Sequence, residues 1–292
     1  MNEKNSGIII LILAAFFYAS FGIFSKIIGN SFEPFYLAGT RSIITLILFF
    51  GFGIAYSSFR KIESNDLKWF LISGFFGSFA IAPLFYAFIH LNLGTVLFAS
   101  YAATIIMSYV LGIFLFKEKV GWKSGVSFFL AIVGLWIVYF GDIEFGQIFP
   151  MTAAFISGGL FSIYFATTKK ISSRYSPFQI NTLISLFAVV INLLISFLSN
   201  EQFNINLLSV EWVANLGYGI VAFFGLYFTI IGFKKIDAHK GSLILLSEII
   251  FGFLFGLFLF GEILNLTTIL GGILILLSAA LPNLPRKTEN II

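Results

Sequence analysis

Cysteine is absent from the 292 residues, histidine occurs only twice, and charged residues make up 10%. Without cysteine there is no disulfide, no thiolate metal ligand and no cysteine nucleophile. His90 and His239 fall at the ends of different apolar runs with no metal-ligand spacing between them, so neither a metal nor a cofactor is expected. The shortage of charge excludes a water-soluble protein, because a soluble domain carries about 25% charged residues. What fills the chain instead is apolar: 59% hydrophobic and 19% aromatic, with a mean hydropathy of +1.01. The net charge of +4 raises the question of an anionic partner, and the placement of the basic residues answers it in favour of membrane orientation rather than nucleic acid.

A helix that crosses a bilayer needs roughly 20 mostly apolar residues, since lipid offers backbone N–H and C=O groups no partner. Stretches of that kind lie near 7–29, 34–56, 67–89, 94–116, 121–140, 147–168, 178–199, 211–233, 241–260 and 263–281. The connections are too short to hold a soluble domain. Lys4 before the first run suggests a signal peptide, but the run is too long and lacks a small-residue cleavage site, so it reads as a retained first helix.

Lys and Arg collect in cytoplasmic loops. Counting alternate loops, one side holds Lys4, then Arg60, Lys61 and Lys68, then Lys117, Lys119 and Lys123, then Lys169, Lys170 and Arg174, then Lys234, Lys235 and Lys240, then Arg286 and Lys287. The other side holds Lys26, with the acids Asp142, Glu144, Glu201 and Glu211. Both termini are therefore expected in the cytoplasm. An error of one span would scatter the bases over both faces.

Displaced by 144 residues, the chain aligns with itself: Ile106 falls on Ile250, Gly112 on Gly256, Phe114 to Phe116 on Phe258 to Phe260, and Glu118 on Glu262. Pro34 and Pro177 each open the helix that follows. Each repeat holds five spans, an odd number, so the second copy must enter the membrane from the opposite face. The expected fold is all-α and integral to the membrane, with ten transmembrane helices as two inverted five-helix repeats at 7–140 and 147–281, and a cytoplasmic tail at 282–292. Inverted repeats of this kind recur in secondary transporters, whose substrate binds near the midplane between halves.

Ionisable residues within spans are costly and mark cavities or partners. Arg41 lies seven residues past Pro34, about 10 Å in from the outer face at 1.5 Å per residue, and Glu248 lies about as deep from the inner face. One reading makes Arg41 a carboxylate clamp and Glu248 a proton carrier or amine partner; the other has them neutralise each other or contact helix ends. Lys26, near the outer end of span 1, reads as snorkelling to the interface. Glu118 and Glu262 sit at turns into the next helix and read as caps for its free N–H groups. Tyrosines within spans need a partner for the hydroxyl when buried, which makes Tyr18, Tyr86, Tyr101, Tyr109, Tyr164 and Tyr227 candidates for a cavity wall. Thr104 and Ser100, and Asn181 and Asn192, either join them or bridge helices.

The stretch FYASFGIFSKIIGNSFEPFYLAGTRSIITLIL, with Lys26 and Arg41, resembles the opening of an EamA domain of the drug/metabolite transporter superfamily. FLFKEKVGWKSGVSFFLAIVGLWIV and SEIIFGFLFGLFLFGEILNLTTILGGILILLSA resemble the glutamate-containing ends of its two repeats. The resemblance covers essentially the whole chain and implies a multi-pass protein of a prokaryotic plasma membrane that moves small metabolites, amino-acid efflux being a frequent assignment. It also implies a central cavity from spans 1, 3, 4, 6, 8 and 9. Members often carry Glu-Pro where this chain has Glu248-Ile249.

The reading that follows is a secondary transporter, not an enzyme, working by alternating access on a small polar or zwitterionic solute. Arg41, Glu248, Tyr18, Tyr86, Tyr101, Thr104, Tyr164 and Tyr227 are its candidate substrate-binding residues. The expected partners are that solute, H+ as one option for coupling, and the lipid bilayer, with the protein a monomer or homodimer and no nucleic acid bound. The rival is an integral-membrane enzyme acting on a lipid-linked substrate, for which Asp142 and Glu144 are the nearest acidic pair.

Overall fold

The structure is a computed structural model that describes residues 3–116, 122–140, 145–203, 206–235, 244–263 and 265–281. Every regular element among them is helical. In chain order the helices are α1 (Glu3–Ile28), α2 (Pro34–Ala55), α3 (Ser64–His90), α4 (Leu93–Phe116), α5 (Trp122–Phe140), α6 (Ile148–Ser172), α7 (Pro177–Leu198), α8 (Val210–Lys235), α9 (Ser247–Phe260) and α10 (Leu266–Ala280). Six of them, α1, α2, α3, α6, α7 and α8, are long and apolar enough to cross a membrane. Among the described side chains the other four hold shorter apolar stretches: Leu93–Met107, Gly125–Gly134, Ser247–Phe260 and Leu266–Ser278. The expected tail at 282–292, Glu118, His239, and the pair Asp142 and Glu144 lie outside the described residues.

Local chemistry explains where these helices begin and end. Pro34 and Pro177 occupy the first turns of α2 and α7, where a missing N–H costs nothing and the fixed φ suits a helix. Ser176 caps α7 by accepting from the Gln179 N–H at 3.0 Å. At the start of α2 the residue before Pro34, Glu33, makes no side-chain cap. Glu201 supplies it from the α7–α8 loop, accepting from the Phe35 and Tyr36 N–H groups at 3.1 and 2.7 Å. Gly261, at φ +64, ends α9 in the left-handed conformation that glycine adopts without strain.

Packing follows a regular scheme. The extensive contacts are α1 with α8, α3 with α6, α2 with α7, α4 with α6, α5 with α10, α3 with α7, α1 with α9, and α2 with α8. Exchanging helix n for helix n+5 turns each of these pairings into another that exists or into itself. Small residues let backbones approach: a Cβ on Gly158 of α6 would collide with the Ser100 carbonyl oxygen of α4. Gly134 of α5 meets the Gly271 carbonyl of α10 in the same way, at 2.7 Å. Large side chains such as Phe50, Phe75, Trp136, Leu194 and Phe258 stand exposed on the outer surface, which suits a lipid-facing coat.

Candidate substrate site

Six helices enclose a cavity of about 40 Å³ in the interior. Tyr18 comes from α1, Arg41, Ser42 and Thr45 from α2, Tyr164 from α6 and Ser185 from α7, with apolar side chains of α3 and α8 completing the wall. Among the described residues this lining draws on α2 and α7, which the resemblance does not include, and on no residue of α4 or α9. The reason is the direct packing of α2 on α7, where the Thr45 and Ser185 hydroxyls share a hydrogen bond of 3.1 Å and turn both polar faces inward. A cavity of this size holds about three waters, at roughly 10–15 Å³ each, and no metabolite.

Arg41 brings the positive charge to this wall. Its residue is 5% exposed, and its guanidinium lies 5.5 Å from the Phe21 ring centre and 5.2 Å from that of Tyr218. Two aromatic faces thus hold the cation where an acid would be expected. Its Nε has no hydrogen-bond partner among the described residues. Ion pairs among the described residues join Lys26 to Glu262 and Arg174 to Asp66, so Arg41 and Glu248 do not neutralise each other.

Glu248 stands at the first turn of α9 and accepts from the Tyr101 hydroxyl of α4 at 2.6 Å. The same hydroxyl lies 3.1 Å from the Leu245 carbonyl. Of the other candidate residues, Tyr18 shares a hydrogen bond with Thr229 at 2.8 Å and Tyr164 donates to Asn181 Oδ1 at 3.3 Å, both beside the cavity. Thr104 lies 3.0 Å from the Ser100 and Gly158 carbonyls and so ties α4 to α6. Tyr86 packs on His90 and Phe149, and Tyr227 on Phe178 and Phe223, away from the cavity wall. Tyr109 has no described side chain. Asn192 bridges α7 to the Ser78 carbonyl of α3 at 2.9 Å.

The structure adds residues that sequence reasoning passed over. Tyr218 is fully buried beneath Arg41, and its position inside span 8 was the signal that could have found it. Ser42, Thr45 and Ser185 gave no signal of their own, because hydroxyls inside spans so often bond to the preceding turn.

A family model describing the EamA-like transporter family matches residues 5–140 and again residues 148–284. The chain belongs to this family. As an EamA-like transporter within the drug/metabolite transporter superfamily it is a multi-pass membrane protein. It is 25% identical over 294 residues to an uncharacterized transporter of Helicobacter pylori, covering 98% of this chain and 97% of that one. An uncharacterized transporter of Archaeoglobus fulgidus is also 25% identical, with 91% and 92% covered. A crystal structure superposes on this EamA-like chain with a TM-score of 0.68 over 96% of it and 97% of the solved chain; at 17% identity the likeness concerns the fold.

Proposed function

We propose that this transporter moves a small carboxylate-bearing metabolite, an amino acid or a related polar or zwitterionic solute, outward across a prokaryotic plasma membrane by alternating access. Arg41 carries the proposal: a buried cation with no acid beside it among the described residues, on the wall of an interior cavity, suits a carboxylate clamp. Glu248 is the group for the solute's ammonium or for a coupling proton, held ready by Tyr101. The reading takes residues 7–140 and 147–281 as inverted five-helix halves with both termini in the cytoplasm. It draws support from the double match of the family model and from the exchange of helix pairings between halves.

Alternating access requires this cavity to open to one side at a time so that a solute can enter. The test is counterflow of labelled amino acids in proteoliposomes. Arg41→Ala is expected to weaken solute affinity about 10- to 100-fold, since a hydrogen bond to a charged group contributes roughly 1.5–3 kcal/mol. Counterflow that survives both Arg41→Ala and Glu248→Ala unchanged removes the assignment.

A further inference from the structure

Two polar seams flank the Arg41 cavity, one on each side. The first lies between α3, α6 and α7. There Ser73 donates to Thr167 at 2.8 Å, Thr168 stands 3.5 Å from Ser73 and beside the Tyr164 hydroxyl, and Tyr164 donates to Asn181. All are buried, and the chain of hydroxyls starts at the cavity wall. The second lies between α1, α2 and α8, where Asn215 donates to Thr40 at 3.0 Å and the Ser25 and Tyr218 hydroxyls face each other without reaching hydrogen-bond geometry.

Exchanging helix n for n+5 converts α3, α6 and α7 into α8, α1 and α2, so the two seams are counterparts. They also occupy opposite ends of the bundle. Asn181 is four residues into α7 and Thr167 five from the end of α6, whereas Asn215 is five residues into α8 and Ser25 three from the end of α1.

Each seam holds buried polar atoms without a partner among the described residues: Asn181 Nδ2 in the first, Ser25 Oγ, Asn215 Oδ1 and Tyr218 OH in the second. Such atoms destabilise a permanently dry interface. Their place is an interface that is wet part of the time. We infer that these two seams are the two exits of the solute path, the α3–α6–α7 seam opening to the cytoplasm and the α1–α2–α8 seam to the outside, both shut here. Hydroxyls and amides then line each exit, which suits a small hydrogen-bonding solute. The inference rests on the alternating-access reading and assigns the route that reading leaves open.

The cysteine-free chain is suited to the test. Asn181→Cys and Asn215→Cys are introduced one at a time, with Ser73→Cys and Ser25→Cys as second variants that disturb packing less. Asn65→Cys and Leu208→Cys, at exposed positions of the two faces, report sidedness. A membrane-impermeant maleimide is applied to vesicles of each orientation. Asn181→Cys and Ser73→Cys are expected to react only from the face that Asn65→Cys marks, and Asn215→Cys and Ser25→Cys only from the face that Leu208→Cys marks. Their rates should lie about 10- to 1,000-fold below those of the exposed controls, as for a state populated at roughly 0.1–10%. Seam cysteines that stay unreactive from both faces while the controls label, or that all react from one face, overturn the assignment. Side-specific labelling with no labelled amino acid moved in counterflow upholds the seams and removes the amino-acid assignment instead.

Discussion

Glu262, in the turn after α9, sets one carboxylate oxygen 2.7 Å from Lys26 Nζ at the end of α1 and gives the other to the Leu93 N–H that opens α4, at 2.8 Å. One side chain thereby joins an element of the second half to two of the first. Lys26, whose position suggests snorkelling to the interface, meets this acid there, and its side chain is 20% exposed.

Removing either partner should therefore be unequal. Lys26→Ala breaks the ion pair and leaves the carboxylate on the α4 cap. Glu262→Ala breaks both, so it is expected to cost about 1 kcal/mol more, the usual worth of an N-cap. Thermal unfolding of the two single variants and the double variant in detergent measures this. Equal shifts for the single variants would show that the Leu93 contact contributes nothing.

The glutamate also shows how far the sequence reaches. The acid-bearing turn reads correctly as a capping site, but the expected beneficiary was the following helix, whereas the helix capped is α4, 169 residues away in sequence. A cap that comes from a distant element leaves no local signal. The helices themselves were legible because bilayer length and apolarity are one-dimensional properties. Their expected limits agree with the observed ones within a few residues where both ends are described; for the ninth span α9 runs from Ser247, and 241–243 lie outside the described residues. Arg41 was legible for the same reason, being a charge where charge is costly. The rings of Phe21 and Tyr218 that hold it were not, because one aromatic among 40 phenylalanines and 11 tyrosines announces nothing about its neighbour.

Those rings make Arg41→Lys a demanding substitution. Lysine keeps the charge but loses the flat guanidinium that lies over Phe21 and Tyr218 and the paired donors that grip a carboxylate. Solute affinity in counterflow is expected to fall about tenfold, a loss of roughly 1.4 kcal/mol, although net charge is unchanged. Wild-type affinity in Arg41→Lys would mean that the cavity uses charge alone.

Glycine positions give a sharper contrast. Gly158→Ala forces a methyl into the Ser100 carbonyl, a backbone atom that cannot swing aside, so α4 and α6 must part. Overpacking of this kind typically costs 1–3 kcal/mol or more, and Tm should drop accordingly. Gly51→Ala on α2 meets nothing within 4 Å and should leave Tm unchanged or slightly raised. A Gly158→Ala protein as stable as Gly51→Ala would contradict the close α4–α6 approach.

Tyr101→Phe isolates the contact between halves that holds Glu248. The substitution deletes one hydroxyl and leaves the ring in place, so the carboxylate loses its 2.6 Å donor while packing is kept. A buried carboxylate without that donor is destabilised by about 1.5–3 kcal/mol, the range for hydrogen bonds to charged groups. If Glu248 serves solute or proton rather than fold stability, the variant's counterflow should change more than its Tm, and Glu248→Gln should change counterflow in the same direction. Both variants losing thermal stability with counterflow intact would assign the Tyr101–Glu248 pair to holding α4 against α9.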